Sequence, residues 1–136
     1  MNAIRIGLIG TGYMGKAHAI AFQTAAAVFP LSRQIICEMV ADITPEQAES
    51  QAKLLGFHRS TGDWHDIVND PDINVVDICA PNHLHKEMAL AAIAAGKHVY
   101  SEKPLALNAQ DAMEMTLAAE QAGIKTLVGF NYTKNP

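Results

Sequence analysis

Three glycines at Gly10, Gly12 and Gly15, an aspartate at Asp42 and the step Glu102-Lys103-Pro104 are the residues of this chain best suited by type and spacing to do chemistry. In "GLIGTGYMGKAH" the glycines follow an apolar run and open an Ala-rich one. Gly10 permits a tight turn, Gly12 lets a pyrophosphate approach the backbone, and Gly15 lets a helix pack close to the preceding strand. The helix start adds free N–H groups and a positive dipole end. Glycines also serve ordinary turns, so the motif carries weight only where a strand precedes it and a helix follows.

Asp42 closes "IICEMVAD", where a carboxylate would accept hydrogen bonds from both hydroxyls of a ribose. It lies further from the glycines than the usual spacing of about 20 residues, because the first helix is expected to run on to about Phe29. A carboxylate there repels a 2′-phosphate, and the following "ITPEQAE" supplies no Arg or Lys, which favours NAD over NADP. A solvated loop carboxylate is the bland alternative. Glu102 and Lys103 read either as an ion pair on a solvated loop or as groups beside a nicotinamide ring, where a lysine could bond a substrate hydroxyl and help move its proton. Asn82 reads as a helix N-cap, a cofactor contact or both, and His85 as a packed histidine or a functional one. His83 and His85 are two apart and share no helical face, so no metal site is expected.

These positions need a scaffold, and the apolar runs supply it. Ile4 to Ile9, Ile35 to Ala41, Val75 to Ala80 and Thr126 to Phe130 read as buried strands, with a shorter one at His98 to Ser101 and a weak one at His58 to Ser60. Between them fall helical spacings: Met14, Ala17, Ala21, Thr24 and Val28; Ala48, Ala52 and Leu55; Met88, Ala91, Ala92 and Ala95; Ala112, Met115, Ala119 and Ala122. A short helix is expected over 63–68. Thr44-Pro45-Glu46-Gln47 reads as N-cap, first-turn proline and capping glutamine, Asn108 as another N-cap, and Gly56, Gly96 and Gly123 as helix ends. Strands alternating with helices predict an α/β, Rossmann-type doubly wound, mainly parallel sheet with helices on both faces, in a single domain over 1–136.

Composition removes other classes. With 18% charged residues and a net charge of −4 there is no basic stripe for nucleic acid. No run reaches the ~20 apolar residues of a membrane span, and "MNAIRIGLIG" lacks the features of a signal peptide, so a cytoplasmic location and no membrane partner are expected. Cys37 and Cys79 sit in apolar runs and read as small buried hydrophobes.

"GLIGTGYMGKAH", "APNHLHKEMALAAIAAGKHVYSEKPLALN" and "VGFNYTKNP" together resemble the N-terminal half of the glucose-fructose oxidoreductase, inositol dehydrogenase and MocA family, along the whole chain. The resemblance implies that Gly10, Thr11, Gly12, Tyr13 and Met14 hold the pyrophosphate of NAD and Asp42 the adenosine ribose. Ala80, Pro81, Asn82 and His85 would border the nicotinamide half, with Glu102 and Lys103 as the Glu-Lys-Pro motif, Lys103 catalytic and its bond to Pro104 cis. It further implies hydride transfer to or from a hydroxyl carbon of a sugar, polyol or cyclitol by a homo-oligomer whose second domain holds the substrate pocket. That domain is absent from this chain, so binding of cofactor without efficient turnover is expected. Many members carry Arg where Thr133 stands, with Lys134 one place later. A non-enzymatic dinucleotide sensor and an interaction module are the other readings.

Overall fold

A computed structural model describes residues 3–131 as six strands and five α-helices in strict alternation, joined by one short 3-10 turn. The strands are β1 (Ile4–Ile9), β2 (Ile35–Ala41), β3 (Arg59–Thr61), β4 (Val75–Ile78), β5 (His98–Glu102) and β6 (Thr126–Gly129). The helices are α1 (Tyr13–Val28), α2 (Pro45–Leu55), α3 (Trp64–Asn69), α4 (His85–Ala94) and α5 (Ala109–Ala122), with the 3-10 turn at Asn82–Leu84. All pairings are parallel, in the order β3-β2-β1-β4-β5-β6. The chain therefore winds outward from β1 in both directions, and the strand order reverses between β1 and β4.

Two apolar layers hold the sheet. Leu8, Val40, Ala19, Ala52, Leu55 and Phe57 pack on one face, under α1 and α2. Ile9, Ile67, Ile73, Val76, Ile78, Met88, Ala92, Val99 and Met115 pack on the other, under α3, α4 and α5. Leu8, Val40, Val76 and Ile78 are fully buried, each worth about 1.5–3 kcal/mol of transfer free energy. Capping at Thr44, Asn108, Gly56 and Gly123 follows the expected chemistry: Thr44 accepts from the Gln47 N–H, Asn108 from the Asp111 N–H, and α2 and α5 end on glycines at positive φ.

The boundaries differ from expectation by a residue or two. The ladder of β4 stops at Ile78, although the Cys79 N–H still donates to the Ile9 carbonyl before the chain turns off. β3 and α3 start one residue later than their patterns suggest, Asp63 serving as the N-cap of α3. The face of α1 is a larger correction. It buries Gly15, His18 and Ala19, with Phe22 half-buried, while Ala17, Ala21, Thr24 and Val28 are exposed. A helix this rich in alanine has little contrast between its sides, and a buried histidine breaks the apolar periodicity that would have marked the true one. α4 is turned slightly, burying His85, Ala89 and Ile93 beside Met88 and Ala92, with Ala95 exposed.

Gly15 shows why this helix comes so close to the sheet. A Cβ at this position would stand 2.0 Å from the Gly10 carbonyl oxygen, which no side-chain adjustment relieves. Gly15→Ala is expected to cost about 3 kcal/mol, read as a lower denaturant midpoint at unchanged m-value.

Candidate functional site

The C-terminal ends of β1, β2 and β4 open a cleft of about 560 Å³ at the point where the strand order reverses. Its walls include Gly10, Thr11, Gly12, Asp42, Ala80 and Pro81, so six of the sequence-derived positions meet in one place. Gly10 is at φ +95°, and a Cβ there would press on the Cys79 carbonyl at 2.6 Å. Gly12 is the opposite case: its φ of −68° suits any residue, and a Cβ would meet nothing within 4 Å. What a side chain there would occupy is open space above the first turn of α1.

Thr11 is buried, and its hydroxyl donates to the Asp42 carboxylate. The other Asp42 oxygen accepts the Ile43 N–H at 2.7 Å. These bonds hold the carboxylate at the end of β2 on the cleft wall. Ile43, Gly62, Trp64, Leu84 and Met88 also line the cleft. Sequence reasoning missed them, because they come from separate loops and helices and share no spacing.

The remaining candidates lie outside these walls. Tyr13 is 86% exposed at the start of α1, and Asn82 is exposed in the 3-10 turn without a side-chain capping bond, so its N-cap reading is not realised. Met14 is half-buried behind the turn. His85 lies beneath the crevice, fully buried, with Nε2 at 2.8 Å from the Ala80 carbonyl and Nδ1 at 2.7 Å from the Pro104 carbonyl. It ties the β4 loop to the β5 loop, and any effect on a nucleotide passes through those two segments. The Lys103–Pro104 bond is cis and Lys103 is exposed. Thr133 and Lys134 lie outside the described residues.

Glu102 does not extend into solvent beside Lys103, as an ion pair would. Its side chain turns inward, one oxygen accepting the Lys103 N–H at 3.0 Å and the other facing His18 Nε2 at 2.9 Å. Gly129 makes room for it, since a Cβ there would stand 2.8 Å from Glu102 Oε1. On its other side, His18 Nδ1 meets Asp77 at 2.8 Å, and its ring stacks on Tyr100 at 4.7 Å. Burial pulls the His18 pKa down, but the hydrogen bonds and charges of Asp77 and Glu102 outweigh it and raise it above 6.5. Burial likewise pushes Asp77 up, against the pull of His18. Cys79 Sγ is 3.4 Å from His18, and burial beside Asp77 pushes its thiol well up. His18, Asp77 and Cys79 are metal-ligand types, but both ring nitrogens already face carboxylates, leaving a proton-sharing network rather than a vacant ligand set. No sequence signal marked His18: α1, β4 and β5 bring residues 18, 77 and 102 together only in three dimensions.

A doubly wound parallel sheet with a glycine turn entering a helix at the switch point, and an acidic residue ending the neighbouring strand, defines a dinucleotide-binding domain. The family model described as "Oxidoreductase family, NAD-binding Rossmann fold" (Gfo/Idh/MocA) matches residues 4–130. The chain belongs to that family. It is 44% identical, over its whole length, to levoglucosan dehydrogenase of Pseudarthrobacter phenanthrenivorans and covers 35% of it. An inositol 2-dehydrogenase/D-chiro-inositol 3-dehydrogenase of Lactiplantibacillus plantarum is 34% identical over 95% of the chain, which covers 36% of that protein. Among solved structures, an NAD binding oxidoreductase from Klebsiella pneumoniae superimposes with a TM-score of 0.96 at 53% identity, covering 98% of this chain and 36% of that one. A complex of levoglucosan dehydrogenase with NADH and levoglucosan gives 0.92 at 44%, covering 96% and 35%. The chain thus spans about a third of the length of these relatives. Among the described residues, no helix is long and apolar enough to cross a membrane.

Proposed function

We infer that this chain is the NAD-holding part of a cytoplasmic dehydrogenase that moves hydride between nicotinamide and a hydroxyl carbon of a sugar, polyol or cyclitol. The observation that carries this reading is the cleft itself: open space over Gly12, a positive helix end beneath it and a fixed carboxylate at Asp42. The pyrophosphate would lie over Gly10, Thr11, Gly12, Tyr13 and Met14, where the first turn of α1 offers N–H groups that have no intrahelical acceptor. Asp42 would accept from the adenosine ribose, with Ile43 and Trp64 against the adenine. Ala80, Pro81 and Asn82 would border the nicotinamide half, backed by His85.

Bound NAD supplies a hydride acceptor. Lys103 would stand at its reacting end, bonding the substrate hydroxyl and assisting departure of its proton, while Glu102 fixes the backbone from which Lys103 projects. The levoglucosan and inositol dehydrogenases among the relatives support the substrate class. Domain 1–136 would act with a further substrate-holding domain in a homo-oligomer. The exposed apolar residues Ile20, Val28, Phe29 and Leu127 support such contacts. Turnover needs a wall that holds the substrate as well as the cofactor side that this chain supplies.

Asp42→Ala provides the test. It removes the ribose acceptor and the charge that repels a 2′-phosphate, so NAD affinity should fall about tenfold while NADP affinity holds or rises. Calorimetric titration of both cofactors measures the ratio, and an unchanged preference would remove Asp42 from the site.

A further inference from the structure

The histidine network under the glycine loop has a consequence for the reacting end of the site. His18 sits on the helix whose first turn faces the pyrophosphate position, one turn below it, yet its ring reaches across the sheet to the end of β5. Between the ring and Lys103 there is a single group, the Glu102 carboxylate, with one oxygen on His18 Nε2 and the other on the Lys103 N–H. We propose that His18 is a positioning residue that couples the dinucleotide-holding helix to the placement of Lys103, by bridging Asp77 and Glu102. This deepens the reading given under Proposed function and rests on it for the identity of the ligand.

The groups around the ring are arranged for that task. Asp77 on β4 is fully buried and meets Nδ1, Glu102 on β5 is 6% exposed and meets Nε2, and Cys79 approaches from the β4 loop. Tyr100 from β5 stacks parallel to the ring, within 4°, and Phe22 of α1 meets it edge-on. With a donor on each nitrogen the ring satisfies two carboxylates at once. The ring cannot turn without taking the imidazole donor away from Asp77 Oδ2 and Glu102 Oε1, which holds the Glu102 side chain in place. Gly129 leaves the space for it. Loss of the His18 proton would remove one of the two bonds and leave uncompensated negative charge below the pyrophosphate position.

The test is amide hydrogen exchange by NMR on this chain, with NAD titrations across pH. His18→Phe keeps a ring against Tyr100 and removes both donors. The Lys103 amide should then exchange at least ~10-fold faster, while Leu8 and Val40 in the central strands keep wild-type protection. NAD affinity, which should weaken in the wild type as pH rises through the titration of His18, should become flat with pH in the variant. His18→Gln retains a donor and, if the Phe variant fails to fold, should still show faster exchange at Lys103 than the wild type. Wild-type exchange at Lys103 in both folded variants, or in the Gln variant if it alone folds, would overturn the proposal, as would a pH dependence that survives substitution. Should the wild-type chain bind no NAD, the reading under Proposed function fails instead, and the exchange result still decides whether His18 positions Lys103.

Discussion

Gly12→Val is expected to weaken NAD binding at least ~100-fold, a loss of about 2.7 kcal/mol, while leaving the chain folded. The two halves of this expectation come from one observation. Gly12 has φ −68° and ψ −167°, a conformation open to any residue, and a Cβ there touches nothing within 4 Å. Valine therefore fits the protein and fails only against a ligand. Since Gly12 is the N-cap of α1, the exchange for a weaker capping residue should cost at most about 1 kcal/mol. Calorimetry gives the affinity and urea unfolding the stability. A variant that binds NAD like the wild type would show that the space above Gly12 is not where pyrophosphate lies.

Asp77→Ala should be the most damaging substitution for stability, at about 3–5 kcal/mol. Asp77 is fully buried, accepts from His18 and lies 3.6 Å from the Cys79 thiol. Its removal leaves the ring with one carboxylate and a cavity beside it. The pH dependence adds a signature that a cavity alone lacks. His18 has its folded pKa above its ordinary value, so its contribution is complete below about pH 6.5 and lost as pH rises through the folded value. Asp77, also raised, favours the protonated fold in the same direction. Wild-type stability should therefore decline toward alkaline pH, and Asp77→Ala should flatten that decline. Urea midpoints measured on both sides of neutrality would show it, and parallel curves for the two proteins would contradict the assignment.

The fold was legible because its signals are local. Ile4–Ile9 and Ile35–Ala41 are mainly apolar runs, interrupted only by Arg5 and Gly7 in the first and Glu38 in the second, whose ends need no tertiary information, and Thr44 and Asn108 cap the helices their sequences announce. Gly10, Gly12 and Asp42 were legible for the same reason: one turn and one strand end carry the pattern, and parallel topology brings them to the same edge. What could not be read is what only packing decides. The burial of α1 depends on His18, a polar residue that pays its desolvation through partners 59 and 84 positions away. Glu102 reads in sequence as the neighbour of a lysine, whereas in three dimensions its carboxylate belongs to the interior. His85 illustrates the same limit, because two backbone carbonyls 19 and 5 residues distant make its burial tolerable. The cleft wall at Ile43 and Trp64 follows from how the loops after β2 and β3 meet.

The central claim is that this chain holds NAD through the glycine turn and Asp42. Calorimetric titration of the wild-type chain with NAD and, separately, NADP tests it most directly. One NAD per chain is expected, bound at least ~10-fold more tightly than NADP. Absence of saturable binding by either nucleotide, or tighter binding of NADP, would contradict it.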